Sequence, residues 1–586
     1  MTAFTPQTDP NPAGRKRRLK AAQKKYQFSH THVSPLALVD HVPMHDEFSA
    51  EWILKVADRV MVSLSNMAEV EMSHDHREFH LLKHKLLKKL CLQGENILTG
   101  VKHIVEEAIK FNIKIGSQCE RPESFDDYID LFHTIGLPPV ANDATTDEVF
   151  AWMRVGGPNS VMIHQMAEPD ERFPVTDAHL QETCPEDCLE AAFAEGRVYL
   201  CDYSMLAGAT AGNYPHGQKY VHAPLAMFVL DSETRRLKPV AIQCDQKPGL
   251  KNPIITPGCG WNWLLAKTAV EMADGNVHEA VTHLGRTHLY MDPFVVTTHR
   301  QLAKNHPLFR LLTPHFEGTL AINQAAWQHL IVAKGPVEKL MSVSLRSARE
   351  ACVQGVQAYE FNKAFLPETF ATRGVADAEH FPDYPYRDDS ILYWHAIRNW
   401  TKAYVDLYYP SDQSVLDDAE LQNWYRELAS KEGGRISGLG IDDAIPTIDY
   451  LADVLTMVIF TCSVQHAAVN FPQYELMSYV PNMPLAMYKP APTSREGATE
   501  QDYLATLPPM DMAELQMDLG YLLGTTHYTQ LGQYSKGQFR DPSVSEPLSN
   551  FQHELSGIGA TIRQRNQTRR PYTFLDAHGV PQSINI

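Results

Sequence analysis

Apolar residues recur every four positions in the first long patterned stretch of the chain. From Ser49 onward, Trp52, Val56, Val60 and Leu64 form one stripe, because side chains four residues apart lie on the same face of an α-helix. The stripe predicts an amphipathic helix with one buried face. Similar helical patterns occupy residues 79–92, 98–111, 261–276, 338–361, 390–409 and 448–470.

The pattern changes to shorter units between about residues 190 and 245. Three apolar runs, RVYLCDY, APLAMFVL and LKPVAIQC, are separated by Gly, Asn, Pro and charged residues. Such short bounded runs are typical of β-strands. We therefore expect a mainly α fold with long central helices and one small β-sheet.

The helix predicted at 448–470 is apolar on nearly every face (LADVLTMVIFTCSVQHAAVNF) and should be central and buried. His466 and Asn470 lie four residues apart within it, on one face. Buried polar side chains must be paired or must ligate something, because an unpartnered one costs a few kcal/mol. The sequence leaves both explanations open: a hydrogen bond to another helix, or a ligand pair.

A second histidine pair lies in EAVTHLGRTH, where His283 and His288 are five residues apart. This spacing does not put two side chains on one face of a regular α-helix, but a π-type turn brings them closer together, and such turns often mark functional sites. The chain has 27 histidines, so chance spacings are common. By itself the pair fits a core or surface role equally well.

Composition narrows the class of protein. The 586 residues are 44% hydrophobic and 21% charged, as in soluble globular proteins. A net charge of −18 would repel a polyanion, so we expect no nucleic-acid partner. No uninterrupted apolar run reaches about 18 residues, which leaves only peripheral membrane contact.

The nine cysteines are odd in number and dispersed, as expected of reduced thiols in the cytoplasm. Only Cys184 and Cys188 lie close together. A zinc site would need a second Cys or His pair with comparable spacing, and none follows nearby.

The N-terminal part divides into two predicted regions. Residues 1–40 are Pro-rich and then basic, which predicts a mobile basic tail without the apolar core of a signal peptide. Residues 41–586 form one predicted domain that begins with a helical extension over about 41–115. Within it, HLLKHKLLKKLCL is basic and amphipathic, so it either rests on an anionic membrane surface or packs against the body.

Several longer segments carry a family resemblance. Residues 261–331, from WNWLLAKTAVEMADGN to INQAAWQHLI, together with DYPYRDD, ELQNWY, HAAVNFPQY and the ending PYTFLDAHGVPQSINI, resemble the lipoxygenases. The absence of a predicted N-terminal β-sandwich makes the chain most similar to the compact bacterial, cyanobacterial-type members. The resemblance implies the single large catalytic domain of that family.

The resemblance also implies a non-heme metal site. It makes His283, His288 and His466 ligands of one iron, adds the main-chain carboxylate of Ile586, and makes Asn470 a weak or variable ligand. Such a mixed nitrogen and oxygen set holds both Fe(II) and Fe(III), although manganese is an alternative. No side chain is implied as a catalytic group beyond the metal-bound hydroxide.

Two further polar residues resemble those that link the metal region to the substrate cavity in this family. Glu279 precedes His283 by four residues, and Gln473 follows Asn470 by three. Each is also compatible with an ordinary surface polar residue. The resemblance favours a supporting role for both.

The implied activity is addition of O2 to polyunsaturated fatty acids with a cis,cis-1,4-pentadiene, such as linoleate, linolenate or arachidonate. Ala326 implies S products, and Leu340 and Met341, which resemble cavity-shaping residues, imply attack at the ω-6 position to give 13S-type hydroperoxides. Ala325 and Met483 replace arginines that relatives place near the substrate carboxylate. Two alternatives remain: an isomerase of fatty hydroperoxides on the same fold, and a metal-free membrane-binding protein.

Overall fold

A computed structural model describes residues 3–73 and 120–586. Helices form most of its regular structure. In chain order, the first ten α-helices of the described residues are α1 (Pro12–Lys25), α2 (Ala50–Ser73), α3 (Phe125–Ile129), α4 (Asp147–Gly156), α5 (Asp177–Gln181), α6 (Leu189–Ala194), α7 (Trp261–Val277), α8 (Asp292–Gln301), α9 (Pro307–Leu312) and α10 (Thr319–Ala325). They are followed by α11 (Pro336–Leu340), α12 (Leu345–Gln357), α13 (Leu366–Thr372), α14 (Pro385–Asp406), α15 (Asp412–Leu416), α16 (Ala419–Ala429), α17 (Ile448–Phe460), α18 (His466–Asn470), α19 (Glu500–Thr506), α20 (Met510–Thr525) and α21 (Ser545–Arg565).

The strands confirm the predicted small sheet. β3 (His164–Gln165), β4 (Val198–Asp202), β5 (Leu225–Leu230) and β6 (Leu237–Gln243) form an antiparallel sheet in that order. The last three strands coincide with the three apolar runs. Two residues of strand in β3 are too few to leave a sequence pattern. A separate pair, β1 (Phe28–Ser29) and β2 (Leu38–Val39), lies near the N-terminus.

The long helices form the core, as expected of a mainly α fold. The apolar stripe that begins at Trp52 belongs to α2, which packs on α20. The segment predicted as one helix at 448–470 continues to Met477 through two π turns. This helix is long and apolar enough to cross a membrane, but 94% of its most apolar window is buried in the protein. It is therefore the predicted central helix, and α14 packs against its first half.

One predicted helix is interrupted. Residues 338–361 were expected to be continuous, whereas α11 ends at Leu340 and α12 begins at Leu345. Main-chain groups of the intervening segment bond to other parts of the fold: Ser342 N–H donates to Leu485 O at 2.9 Å, and Ser344 N–H donates to Thr210 O at 2.8 Å. These tertiary bonds replace the helical ones, so that prediction is wrong at the break.

The N-terminal residues differ from the free tail that their composition predicts. α1 is docked on the body because Arg15 is buried and its guanidinium bonds to Glu420 at 2.5 and 2.7 Å and to Asp9 at 2.9 Å. Val39 N–H, further along, donates to a carboxylate oxygen of Asp292 at 3.0 Å. The helices predicted at 79–92 and 98–111, including the basic amphipathic segment, lie outside the described residues.

Candidate metal centre

The chain after α7 continues without a break into a π-helix, His278–His288. This wider winding is the one expected from the five-residue histidine spacing, and Thr287 Oγ1 donates to Thr282 O, five residues earlier, at 2.8 Å. It brings the Nε2 atoms of His283 and His288 to 3.2 Å from each other. The spacing therefore produces a facing pair.

His466 completes the cluster from the central helix. A π turn, Thr461–Gln465, precedes α18 and leads directly to this residue. Its ring centroid lies 5.2 Å from that of His288 and 6.2 Å from that of His283. One nitrogen from each of the three buried rings lies within 4.8 Å of the others.

The C-terminal residue reaches the same point. The main-chain oxygen of Ile586 lies 3.2 Å from His466 Nε2, and its side chain is buried in a cluster with Trp52 and Val56 of α2. The preceding residues are anchored by hydrogen bonds: Trp52 Nε1 donates to Asn585 O at 2.6 Å, and Thr319 Oγ1 donates to Ile584 O at 2.9 Å. The segment is thus held with its terminal oxygen at the imidazoles.

Burial keeps the three rings neutral. Desolvation lowers the pKa of His283 and of His466 well below the usual value, and neighbouring histidines add to the effect. The pKa of His288 falls to about 4 for the same reason, although its bond to Asn323 opposes the shift. Neutral imidazoles retain a lone pair for a metal near neutral pH.

These residues fit a metal ion. Two imidazole nitrogens that are each about 2.1 Å from one metal, with a right angle between them at the metal, lie about 3 Å apart. This is close to the 3.2 Å between the Nε2 atoms of His283 and His288. Neutral nitrogens with one carboxylate form a donor set suited to divalent and trivalent iron.

The sequence profile of the family described as Lipoxygenase matches residues 17–579. The chain belongs to the lipoxygenase family. A linoleate 9/13-lipoxygenase of Pseudomonas aeruginosa is 36% identical over 510 residues, covering 84% of this chain and 74% of that protein. The polyunsaturated fatty acid lipoxygenase ALOX15B of Homo sapiens is 36% identical over 445 residues, covering 75% of this chain and 65% of its own length. The hydroperoxide isomerase ALOXE3 of Mus musculus is 34% identical over 487 residues, covering 81% and 68%.

Solved structures agree with the family assignment. A calcium-dependent 11R-lipoxygenase has a TM-score of 0.86 and 27% identity, covering all of this chain and 83% of the other. The coral 8R-lipoxygenase has a TM-score of 0.85 and 27% identity with the same coverage. The fold is that of lipoxygenases, and the family makes this protein a dioxygenase.

Asn470 of this lipoxygenase lies one turn after His466 and is fully buried. Its Nδ2 donates to Leu523 O at 2.8 Å, and its Oδ1 accepts from Gln473 Nε2 at 3.0 Å. An amide oxygen has two lone pairs, so one remains for a metal. Gln473 therefore bonds directly to a predicted ligand, and its predicted role of linking the metal region to the substrate cavity stays a prediction.

Glu279, the other predicted supporting residue, lies on the first turn of the π-helix. One carboxylate oxygen is 4.0 Å from His283 Nδ1, and the other is 3.3 Å from Nδ1 of His278. The ring of His278 stacks on His283 with centroids 5.4 Å apart. His278 therefore borders the histidine cluster of this lipoxygenase. It precedes His283 by the same five residues that separate His283 from His288, so the sequence spacing could have indicated it, although the sequence analysis did not single it out.

Two other residues near the cluster escaped sequence analysis. Asn323 of α10 is fully buried and its Oδ1 accepts a hydrogen bond from His288 Nδ1 at 3.0 Å. Asp292, at the start of α8, accepts from Asn323 Nδ2 at 2.7 Å, and burial raises its pKa to about 7. In the sequence, Asn323 could have been noticed as a polar residue within the largely apolar segment TLAINQA.

The predicted selectivity residues are all buried. Ala326 begins a π turn, Ala326–Leu330, three residues after Asn323, so the two side chains share a helix face. Leu340 ends α11, and the main-chain oxygen of Met341 accepts from Lys219 Nζ at 3.0 Å. Ala325 is partly exposed, whereas Met483 is fully buried. Their roles in selectivity stay predictions.

Proposed function

We propose that this lipoxygenase holds one non-heme iron through His283, His288, His466 and the carboxylate of Ile586, with Asn470 as a further oxygen donor. The observation that carries the proposal is the cluster of three buried, neutral imidazoles, one of which, His466, lies 3.2 Å from the main-chain oxygen of Ile586. Manganese is the alternative metal, because these donors do not discriminate strongly between the two.

The substrate class that we propose is polyunsaturated fatty acids with a cis,cis-1,4-pentadiene, oxygenated to hydroperoxides. Support comes from the relatives whose names specify linoleate and polyunsaturated fatty acids. Iron, when bound, supplies the one-electron chemistry for hydrogen removal from such a substrate. The protein chain contributes by orienting the ligands, excluding water from the reacting carbon and directing O2.

We propose 13S-type products from attack at the ω-6 position. Ala326 shares the helix face of Asn323, which contacts His288, so its methyl group lies on the side of α10 that faces a proposed ligand. Leu340 and Met341 are buried in the main hydrophobic core. On this proposal they limit how deeply the fatty acid enters.

We also propose a cytoplasmic protein that contacts membranes peripherally through its N-terminal region. Residues 80–92 motivate this proposal because they combine basic and apolar side chains at helical spacing. Sedimentation with anionic vesicles, compared between the full chain and a variant with the lysines of this segment replaced by glutamine, tests it. Equal partitioning of both proteins would contradict the contact.

The experiment that tests the main proposal combines metal analysis with a linoleate assay that follows conjugated diene and O2 together. We expect about one iron per chain and equal rates of diene formation and O2 uptake. Conversion of a fatty hydroperoxide without O2 uptake would instead identify an isomerase, the activity named for the mouse relative. Full iron content in variants that lack any of the three imidazoles would contradict the proposed site.

A further inference from the structure

A chain of buried hydrogen bonds leads from His288 to the N-terminal strand pair. His288 Nδ1 bonds to Asn323 Oδ1 at 3.0 Å, Asn323 Nδ2 bonds to Asp292 Oδ1 at 2.7 Å, and Val39 N–H bonds to Asp292 Oδ2 at 3.0 Å. Val39, Asp292 and Asn323 have no exposed surface, and His288 is 5% exposed. The chain therefore connects a proposed metal ligand to β2 without passing through solvent.

The orientation of the Asn323 amide follows from its neighbours. Its Nδ2 donates to the carboxylate of Asp292 and also to the main-chain oxygen of His288 at 2.9 Å. A flipped amide would place its oxygen against two oxygen acceptors, so only this orientation satisfies the contacts. Asn323 Oδ1 must therefore face Nδ1 of His288, and the ring carries its proton there. The lone pair is then on Nε2, the atom that faces His283.

Asp292 has no cationic side chain bonded to it among the described residues; its two hydrogen-bond donors are an amide and a main-chain N–H. A buried carboxylate without a cation is energetically unfavourable. A metal ion on Nε2 of His288 would supply positive charge at the other end of the same hydrogen-bonded chain. Groups that accept a hydrogen bond from the N–H on the non-coordinating nitrogen of a metal-binding histidine orient the ring and strengthen its other nitrogen as a ligand.

We propose that Asn323 and Asp292 are positioning residues that fix the tautomer and orientation of His288 and strengthen its bond to the metal, with Val39 as the outer anchor. The proposal rests on the metal site described under the proposed function. It assigns the N-terminal strand pair a role in metal retention, although that pair contributes no ligand.

The test compares Asp292→Asn and Asn323→Leu with the wild type by anaerobic chelator competition for Fe(II). Asp292→Asn keeps the size of the side chain and removes its charge, whereas Asn323→Leu removes the acceptor. We expect Fe(II) to bind at least about tenfold more weakly in both variants. The control is Asp418→Asn, since Asp418 is equally buried and bonded to an imidazole, that of His306, at 3.0 Å. It should lower stability without changing Fe(II) affinity.

The outcomes separate the two proposals. If His288→Ala abolishes Fe(II) binding but Asp292→Asn and Asn323→Leu bind like the wild type, the positioning role is wrong and the metal site stands. If His288→Ala binds Fe(II) normally, the metal site itself fails. A second measurement does not depend on folding of the variants: ¹⁵N-histidine NMR of the wild-type apoprotein should show the proton of His288 on Nδ1. A proton on Nε2 would overturn the inference.

Discussion

Replacing Trp52 with Phe should weaken metal binding although Trp52 is not itself a proposed ligand. Trp52 Nε1 donates to Asn585 O at 2.6 Å, next to Ile586, and the indole belongs to the cluster that buries the Ile586 side chain. The substitution removes this donor and leaves a smaller ring in a site that is only 7% exposed. The terminal segment then keeps its other anchors but loses the one closest to the carboxylate.

The loss of metal affinity can be estimated from the Asn585 carbonyl, which loses its hydrogen bond from Trp52. An acceptor left unpaired inside the protein costs about 1–3 kcal/mol, and the space left by the smaller ring adds to it. If metal binding must restore the docked segment, the same free energy weakens binding by roughly 5- to 150-fold. The loss of affinity should not exceed this range, because the hydrogen bond from Thr319 to Ile584 still holds the terminal segment.

Iron retention during dialysis against a chelator measures the prediction. The matched control is Trp424→Phe: Trp424 is also buried and donates its Nε1 to Thr298 Oγ1 at 2.9 Å. Both variants should lose stability in urea unfolding, but only Trp52→Phe should lose iron faster. Equal iron retention in the two variants would show that placement of the Ile586 carboxylate does not depend on Trp52.

Four other predictions test separate parts of the site. Extension of the chain beyond Ile586 should abolish iron binding and turnover while an N-terminal tag is tolerated, because a buried carboxylate would become a neutral amide; full activity with an intact extension would exclude it as a ligand. Gln473→Ala should slow turnover with iron retained, since it frees the Asn470 amide oxygen; iron loss as severe as in an imidazole variant would make Gln473 itself a ligand. Ala326→Gly should shift products toward R configuration in chiral chromatography, where a tenfold change needs only about 1.4 kcal/mol between barriers; an unchanged ratio would make Ala326 a packing residue. Burial lowers the pKa of His315 to about 4 from 6.5, so the unfolded state binds more protons between these values and stability should fall by up to about 1.4 kcal/mol per pH unit on acidification from pH 6.5 to 4; His315→Gln should flatten this fall in urea unfolding curves, and identical slopes would contradict it.

The local pattern of apolar residues was sufficient to predict the helices and strands whose buried positions recur regularly along the sequence. The four-residue stripe of α2 and the three apolar runs of the sheet were predicted because each periodicity matches one secondary structure. The break after Leu340 was not predicted, since it depends on bonds from Ser342 and Ser344 to segments far along the chain. The docking of α1 was not predicted for the same reason. From the sequence, Arg15 belongs to a basic tail, and its partner Glu420 lies 405 residues away along the chain.

The residues of the candidate metal centre also fall into two groups: those predicted from the sequence and those found only in the structure. Its imidazoles were predicted as ligands from the family resemblance, because the five-residue spacing and a polar ring in an apolar helix by themselves left core and hydrogen-bonding roles open. The structure brings the three buried rings together. Asn323 and Asp292 are common residue types, and their proposed role depends on the orientation of the Asn323 side-chain amide. That orientation is set by contacts between residues 31 and 35 positions apart and by a main-chain N–H of β2. The family resemblance was therefore enough to propose the ligands, but the groups that we propose to hold His288 in one tautomer could be found only from the folded structure.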